Sequence, residues 1–516
     1  MQGILAKRLA ALLIALAAGA LTLAGCAPTS APSLSQTPAP TVDNSISAEL
    51  KPFYEQSLDW RKCSAVVFCT NVTVPLDWNN PTGSTIRLAL DFKPATSGKA
   101  IGSLIYNPGG PGASGYDFLL ESPDYIGSDL IRSKFNMVSF DPRGVQHSKP
   151  KVSCLSAPEM DQLLYDDSKT KIGSPEYVAE QRAIWSDFTK KCQKNTGELL
   201  EFVDSVSVAK DLDVIRALMG DSKINYLGYS YGTLIGELYA SLFPEKVGRM
   251  VLDGAIDPTA PDEEANLAQL VGFDKALRAF VAQCLKASDC PFKGTIDDGM
   301  SSISSLLLAL ESKPIETSLD GRKLSASAAL TGLIYPLYDE TAWPTLATAL
   351  KDALKGDGTQ LLDFADAYNE RTPEGKYLSN STEVNIAVNC LDSRSPSDAK
   401  SLAKQNALVL KASPTLGRYW QDGALGCADW PYPVVKKPAN ISAKGSDQIL
   451  VVGTTGDPAT PYSQAVNLAH HVLANARLLT YVGEGHTAYG RSNSCVEKAV
   501  DDYLLRKVVI TEDIRC

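Results

Sequence analysis

The chain has 516 residues, of which 44% are hydrophobic and 21% charged, and 49 Lys and Arg against 59 Asp and Glu give it a net charge of −10. This is an ordinary globular composition, which excludes collagen-like and disordered chains. No basic patch dominates, so nucleic acid is not expected as a partner. The continuous apolar run at residues 9–23 is too short for an ordinary spanning helix, so a multi-pass membrane protein is excluded as well.

Residues 1–25 have the pattern of a lipoprotein signal peptide. Lys7 and Arg8 precede the apolar run, which ends in small residues directly before Cys26. These features are typical of an export signal, and the cysteine that follows them resembles the lipobox of bacterial lipoproteins. That resemblance implies that Cys26 carries acyl chains such as palmitate and anchors an exported protein to the extracytoplasmic face of the cell membrane. A plain secretory signal is the alternative. Residues 26–47, rich in Ala, Pro, Ser and Thr, are expected to form a flexible tether after the lipidated cysteine.

The cysteine count fits an oxidising compartment. Without Cys26, ten cysteines remain, an even number that favours disulfides over free buried thiols in an exported chain. Ten thiols permit many pairings, and the sequence alone cannot choose among them. Neighbours along the chain suggest Cys63–Cys69, Cys154–Cys192, Cys284–Cys290, Cys390–Cys427 and Cys495–Cys516. No pair of cysteines has the spacing and His neighbours of a zinc site, so no metal is predicted.

Strand and helix patterns alternate over residues 48–257. Helical spacing of apolar residues at 208–219 and 233–242 separates strand patterns late in this region. The predicted strands are residues 69–75, 85–92, 102–106, 135–140, 224–227 and 247–252. Such alternation predicts an α/β core, a mostly parallel sheet with helices on both faces.

The alternation stops over residues 258–440, where the apolar period is helical, as in Leu270, Leu277 and Phe280. This region is therefore predicted to be a helical cap inserted into the core. Strands return at residues 448–452 and 478–482 with helices at 461–472 and 494–505, so residues 441–516 are expected to complete the core.

Residues 228–232, Gly-Tyr-Ser-Tyr-Gly, form a GxSxG motif between a predicted strand and a predicted helix. A nucleophile elbow requires this setting, because the sharp turn lifts the serine hydroxyl clear of the sheet and leaves no room for side chains at the two glycines. We therefore expect Ser230 to be a nucleophile. A strand–helix turn with an idle serine is the alternative.

A nucleophilic serine needs a base, and the chain has four histidines. His470 and His471 fall late in a predicted helix, and His147 precedes the elbow. His486 follows a predicted strand in the glycine-flanked sequence Gly-Glu-Gly-His-Thr, which lets a loop bring the imidazole toward the elbow. His486 is the predicted base by chain order and by context.

The base needs an acid that orients it, expected between the serine and the histidine in chain order. Asp457 follows a predicted strand and precedes Thr460 and Pro461, a good start for a helix. Asp253, at the end of another strand, is the competing candidate. Asp457 is predicted because its turn context is tighter.

An acyl-transfer site also needs N–H donors for the oxyanion. One is expected from Tyr231, the residue after the nucleophile, and the other from the glycine loop at residues 107–112, with Gly110 as the candidate. A plain tight turn is the alternative for the glycine loop. Residues 141–144, Asp-Pro-Arg-Gly, are expected to brace the neighbouring loop.

Together these motifs resemble the proline-iminopeptidase-like α/β-hydrolases. That family carries an HGGPG loop, a DxRGxGxS loop, GxSxG, a late Asp and a late His, which correspond here to residues 108–112, 141–148 and 228–232, Asp457 and His486. The Asn-Pro-Gly-Gly-Pro-Gly form of the first loop, residues 387–392 and the Cys427 region are most similar to secreted or lipid-anchored tripeptidyl aminopeptidases of actinobacteria. The chain departs from the pattern at Pro108, where the family has His, and at residues 146–147, where a Gly-containing stretch is usual.

The resemblance implies an α/β-hydrolase core with a large helical cap. It also implies a serine exopeptidase that releases short peptides, tripeptides above all, from free N-termini. Such an enzyme needs anions to hold the substrate ammonium, and Glu383 and Asp392 are the candidates, with ordinary surface acids as the alternative. No metal or organic cofactor is implied.

Two other functions compete with the peptidase. An esterase or lipase of the same fold would use the same triad and oxyanion hole. A surface lipoprotein that binds a ligand on an inactive hydrolase fold is the second, although every catalytic element is present in the sequence.

Overall fold

A computed structural model describes residues 40–41, 46–506 and 508–516. The predicted signal peptide, the lipidation site Cys26 and nearly all of the predicted tether lie outside the described residues.

The core of the described chain is a mixed β-sheet. Its strands are β1 Arg61–Lys62, β2 Phe68–Pro75, β3 Thr85–Lys93, β4 Ser103–Asn107, β5 Asn136–Phe140, β6 Ile224–Tyr229, β7 Val247–Asp253, β8 Ile449–Gly456, β9 Ala476–Glu484 and β10 Ile514–Arg515. They lie in the order β1-β2-β3-β5-β4-β6-β7-β8-β9-β10. Every strand predicted from the sequence is confirmed, with bounds that differ by a few residues.

The sheet is antiparallel on one side and parallel over the rest of its width. The pairs β1–β2, β2–β3 and β3–β5 are antiparallel, whereas every pair from β5–β4 through β9–β10 is parallel. The carboxyl ends of parallel strands share one edge of a sheet, which is where ligands bind in α/β folds. The predicted site residues follow β4, β6, β8 and β9, so the topology brings them to that edge.

Helices connect the strands and fill the insertion. They are α1 Lys51–Tyr54, α2 Gly115–Glu121, α3 Asp129–Lys134, α4 Ala157–Tyr165, α5 Pro175–Thr196, α6 Ser205–Leu218, α7 Tyr231–Leu242, α8 Asp262–Cys284, α9 Ile296–Ser312, α10 Ala326–Ile334, α11 Trp343–Ala353, α12 Thr359–Tyr368, α13 Ser381–Asp392, α14 Ala399–Ala412, α15 Tyr462–Asn467 and α16 Ser494–Arg506. A π-turn, Leu468–Val472, extends α15 over the rest of the helix predicted at residues 461–472.

Both faces of the sheet are buried. Successive strand residues point to opposite faces, and in β4 Ile105 joins one hydrophobic cluster while Leu104 and Tyr106 join another. The first cluster includes residues of α6 and α7, and the second includes residues of α2, α3 and α16. The predicted α/β core, with helices on both faces, is therefore confirmed.

The inserted region has a hydrophobic cluster of its own, built on residues of α8 to α12 such as Leu277, Phe280 and Leu333. Tyr165 of α4 also belongs to it. Helix α13, in contrast, packs with the sheet through Val384 and Leu391. The boundaries of the predicted cap, residues 258–440, remain a proposal.

Five disulfides tie the described chain together, in the pairing that neighbours along the sequence suggest. They are Cys63–Cys69, Cys154–Cys192, Cys284–Cys290, Cys390–Cys427 and Cys495–Cys516. Among the described residues, we find no helix whose length and apolar character would let it cross a bilayer.

Candidate active site

Ser230 occupies a strained turn between β6 and α7. Its backbone angles are φ 55° and ψ −126°, a conformation that costs free energy and is found mainly at functional sites. A Cβ atom at Gly228 would lie 2.5 Å from the carbonyl oxygen of Gly232, and one at Gly232 would lie 2.7 Å from that of Asn107. The flanking glycines are therefore required by close backbone contacts, as the motif predicts.

His486 and Asp457 form a buried pair at the ends of β9 and β8. His486 Nδ1 lies 2.9 Å from both carboxylate oxygens of Asp457, and the two residues are 8% and 3% exposed. The N–H groups of Ala459 and Thr460 each donate to Asp457 Oδ1 at 2.9 Å. The carboxylate is thus held by its own loop, and it can fix the imidazole in one orientation.

Asp253, the competing acid, has a different environment. Its carboxylate accepts hydrogen bonds from the N–H groups of Ala488 (3.0 Å) and Tyr489 (2.7 Å), and its carbonyl accepts one from the N–H of Ser230 at 2.9 Å. Complete burial raises the pKa of Asp253 to about 6, although the two N–H donors act in the opposite direction. Asp253 therefore links the loop after His486 to residues 228–232, which we call the nucleophile turn. Asp457 is the acid that contacts the imidazole.

His486 lies at the same edge of the sheet as Ser230. Among the described residues, it makes no direct hydrogen bond to Ser230. A Cβ atom at Gly254, next to Asp253, would lie 3.1 Å from His486 Cε1. Hydrogen bonds between catalytic groups are often long in unliganded enzymes and tighten when substrate binds. The three predicted catalytic side chains thus share one edge of the sheet, and the histidine–aspartate contact is already formed.

Tyr338, in the region between β7 and β8, also holds the histidine through contacts that no sequence motif marks. The carbonyl of Tyr338 accepts a hydrogen bond from the His486 N–H at 2.9 Å, and the Tyr338 ring meets the imidazole edge-on with centroids 5.4 Å apart. Arg491 donates to the carbonyls of both Tyr338 and His486. Because Tyr338 lies about 150 positions from His486 and in no motif, no local sequence signal marks it.

The glycine loop abuts the nucleophile turn. Gly109 has φ +92°, and a Cβ atom there would lie 2.5 Å from the carbonyl oxygen of Tyr229 and 3.0 Å from the backbone nitrogen of Tyr231. The Gly109 N–H donates to Asn107 Oδ1 at 2.9 Å. That bond occupies the N–H of Gly109 and leaves Gly110 as the candidate for an oxyanion donor from this loop.

The two acids predicted to hold a substrate ammonium are buried. Glu383 Oε1 accepts hydrogen bonds from the N–H groups of Cys154 and Leu155, both at 2.7 Å, and burial raises the pKa of Glu383. Asp392 accepts from the N–H of Ser205 at 2.9 Å, and burial raises its pKa to about 7. Both side chains therefore have partners within the protein, and their role toward substrate stays a prediction.

The Asp-Pro-Arg-Gly segment braces neighbouring loops. Arg143 is fully buried, with Nε and Nη2 donating to the two oxygens of Asp211 at 2.8 and 2.7 Å. Asp141 accepts from the hydroxyl of Ser114 at 2.6 Å and from the N–H of His147 at 2.9 Å. These contacts fit the bracing role predicted from the sequence.

His147 and His470 each contact an aspartate other than Asp253 and Asp457. His147 Nε2 contacts Asp117 at 2.7 Å, and His470 contacts Asp513 at 2.7 Å. Within the part of the chain that the structure describes, no group of three or more His, Cys, Asp or Glu side chains has a metal-binding arrangement.

Comparisons with known proteins extend over nearly the whole chain. Residues 102–296 match the family described as alpha/beta hydrolase fold, and residues 413–516 match the one described as TAP-like protein. The chain is 35% identical to the serine protease Hip1 of Mycobacterium tuberculosis, over 97% of this chain and 96% of that protein.

Two further relatives carry different names. Carboxylesterase B of Mycobacterium tuberculosis is 35% identical, over 87% of this chain and 86% of that protein. Tripeptidyl aminopeptidase of Streptomyces coelicolor is 33% identical, over 89% of this chain and 86% of that protein. With the parallel sheet and the elbow described above, these similarities show that the chain belongs to the α/β-hydrolase family of serine hydrolases that includes Hip1 and the tripeptidyl aminopeptidases.

Proposed function

We propose that this protein is a serine exopeptidase that releases short peptides, tripeptides in particular, from substrates with free N-termini. The observation that carries the proposal is the buried His486–Asp457 pair on the same sheet edge as the strained Ser230 turn. Similarity over most of the chain to a serine protease and to a tripeptidyl aminopeptidase supports a peptide as the substrate.

In the proposed mechanism, Ser230 Oγ attacks the scissile carbonyl while His486 Nε2 takes its proton. Asp457 holds the imidazole in the tautomer that leaves Nε2 free to accept, and it stabilises the imidazolium that forms. His486 then protonates the leaving amine, and water releases the acyl group from Ser230 by the same route in reverse.

The oxyanion of the tetrahedral intermediate is assigned to the N–H groups of Tyr231 and Gly110. Support comes from the close contact of the glycine loop with the nucleophile turn, where Gly109 packs against the Tyr231 nitrogen. Donors fixed in place before the reaction stabilise developing charge without a cost of reorganisation.

Of the two acids predicted to hold the substrate ammonium, Glu383 is proposed for that role, whereas the contacts of Asp392 with Ser205 favour a different task. A binding role predicts that Glu383→Gln raises the KM for free-amine peptides. An unchanged KM would remove Glu383 from that role.

We further propose that the mature protein starts at an acylated Cys26 and is held at the extracytoplasmic face of the membrane by that lipid. The disulfides support an oxidising compartment outside the cytoplasm. Residues 258–440 are proposed to act as the cap over the catalytic edge, supported by the contacts of Tyr338 with His486.

The proposal is tested with a tripeptide nitroanilide that has a free amine and with its N-acetylated twin. Wild type is expected to hydrolyse the free-amine substrate alone, and Ser230→Ala is expected to hydrolyse neither. Equal turnover of both substrates would exclude an aminopeptidase and indicate an endopeptidase or a general hydrolase.

An esterase is the second candidate, because carboxylesterase B has the same 35% identity to this chain as Hip1, over 87% of the chain. A triad and an oxyanion hole serve esters and amides alike. Turnover of p-nitrophenyl esters without turnover of either nitroanilide would favour the esterase.

A further inference from the structure

Asp392, at the end of α13, is a buried acid whose partners lie in a different part of the chain. It is 9% exposed, and its Oδ1 accepts a hydrogen bond from the N–H of Ser205 at 2.9 Å. The Ser205 hydroxyl donates to Asp392 Oδ2. A buried carboxylate is costly unless its oxygens are hydrogen-bonded, and Ser205 supplies a donor to each of them.

Ser205 links Asp392 to the nucleophile turn. The Ser205 hydroxyl also contacts the phenol of Tyr231. Since its proton is given to Asp392, the Ser205 oxygen accepts the hydrogen bond from the Tyr231 hydroxyl. Tyr231 directly follows Ser230 and begins α7, so the chain of contacts ends on the residue whose N–H is assigned to the oxyanion.

The other end of α13 contacts the glycine loop. A Cβ atom at Gly112 would lie 2.5 Å from the carbonyl oxygen of Ser381, the first residue of α13. The side-chain amide of Asn385 donates to the carbonyl of Pro111 at 3.3 Å. One helix therefore contacts the glycine loop directly and is linked to Tyr231 through Ser205.

We propose that α13 positions the oxyanion hole, with Asp392 acting through Ser205 as the positioning residue that fixes Tyr231. This inference rests on the proposed function, because it takes the Tyr231 N–H as an oxyanion donor. It deepens that function by giving Asp392 a task in the transition state instead of contact with the substrate ammonium.

The physical reason is preorganisation. The strained backbone at Ser230 would relax if the residue after it were free to rotate, and a phenol held at its hydroxyl fixes the orientation of the whole residue. Loss of a complete oxyanion donor costs about 10²–10³ in kcat. A donor that is loosened but still present is expected to cost about 10-fold to 100-fold.

The test compares Asp392→Asn, Tyr231→Phe and the double variant with wild type at pH 8. The kinetic readouts are kcat and KM for the free-amine tripeptide nitroanilide, and kinact and KI for inactivation by a fluorophosphonate. Each single variant is expected to lower kcat and kinact by about 10-fold to 100-fold, with KM and KI changed less than twofold. The double variant is expected to be no slower than the worse single variant, since both changes break the same chain of contacts.

A matched control is available in the inserted region. Asp274 is a buried acid that accepts a hydrogen bond from a buried serine, Ser413, at 2.5 Å. Asp274 also forms an ion pair with Arg278 at 3.1 Å, so Asp274→Asn weakens at least as many contacts as Asp392→Asn does, and neither Ser413 nor Arg278 lies in the nucleophile turn. The kcat and kinact of Asp274→Asn are expected to remain within twofold of wild type.

Four results would overturn the inference. They are wild-type kcat in both single variants, a rise in KM in place of a fall in kcat, additive losses in the double variant, or an equal loss in Asp274→Asn. If Asp392→Asn does not fold, Tyr231→Phe, which removes one hydroxyl group, decides by the same kcat and KM criterion. A wild-type protein that neither turns over substrate nor reacts with the fluorophosphonate would overturn the proposed function along with the inference.

Discussion

Two buried aspartates at the carboxyl ends of adjacent strands have separate tasks. Asp457 contacts the imidazole of His486 with both oxygens, whereas Asp253 binds the backbone N–H groups of the loop that follows His486. From the sequence, both aspartates end strands between Ser230 and His486. Only the folded structure distinguishes the two aspartates, because it shows which carboxylate contacts the imidazole ring.

Asp457→Asn is expected to lower kcat about 10³–10⁴-fold, because an amide favours the tautomer of His486 that cannot accept the proton of Ser230. Asp253→Asn keeps an acceptor for the N–H of Tyr489 and is expected to cost less than 10-fold. Steady-state kinetics on the free-amine tripeptide nitroanilide measure both variants. Comparable losses, or a larger loss in Asp253→Asn, would assign the acid to Asp253.

The raised pKa of Asp253, about 6, predicts a pH-dependent stability. An unfolded aspartate ionises near pH 4, so between pH 4 and 6 the unfolded chain has lost this proton while the folded chain retains it. The folded state then binds more protons, and the stability contributed at this position falls as the pH rises through that window.

Asp253→Asn lacks this proton equilibrium. The free energy of unfolding of wild type minus that of the variant is therefore expected to fall from pH 4 to pH 6 and to be level above pH 7, as measured by urea denaturation. His486 and Asp457 are present in both proteins, so the two differ only at position 253. A difference that is constant from pH 4 to pH 7 would contradict the raised pKa.

At the scale of elements, strand–loop units carry the site, and these were the most predictable part of the chain. Strands of a parallel sheet are buried on both faces and form short apolar runs, as in β4, all of whose residues are buried. The 22-residue helix α5 was not predicted, because its buried residues are only Phe188, Thr189 and Cys192. So few buried positions leave no clear helical period in the sequence.

The motifs predict Ser230, His486 and the glycine loop as site residues because each motif depends on residues adjacent in the chain. Tyr338 and the link from Asp392 to Tyr231 join residues that are more than 100 positions apart. Such contacts leave no spacing pattern in one sequence, so they could not be predicted from it.

Gly109→Ala tests the contact between the glycine loop and the nucleophile turn. The new Cβ would lie 2.5 Å from a backbone oxygen that cannot move without displacing the turn. We expect at least a 100-fold loss of kcat. Gly98→Ala is the control, because Gly98 also has a positive φ but has nothing within 4 Å of an added Cβ.

The control variant is expected to lose about 1 kcal/mol of stability from backbone strain and to retain its kcat. Thermal denaturation and steady-state kinetics on both variants check this. A Gly109→Ala enzyme with the kcat of Gly98→Ala would show that the loop does not support the reaction.

At the scale of the whole molecule, the insertion and the core meet at His486, the predicted base. The insertion has its own hydrophobic cluster, yet the Tyr338 carbonyl and ring contact His486, and Arg491 bridges the two backbones. The change from an alternating to a helical period predicts a core and an insert, and their boundaries stay a prediction. The contact of this region with His486 could not be predicted, because it is made by Tyr338, a residue that lies in no motif.

Cys26→Ser is expected to shift the protein from the membrane fraction to the soluble fraction or the medium, because a serine cannot form the thioether to the lipid. Fractionation followed by immunoblotting measures the shift, with Ser230→Ala as the control that keeps the anchor. A Cys26→Ser protein that stays with the membrane as firmly as wild type would contradict the anchor.

The assignment of Ser230 as the nucleophile is tested most directly by treating the protein with a fluorophosphonate and locating the adduct by peptide mass spectrometry. One adduct is expected, on Ser230, formed in wild type, absent in Ser230→Ala and formed much more slowly in His486→Ala. An adduct on a different residue, or undiminished reaction of Ser230→Ala, would contradict the assignment of Ser230 as the nucleophile.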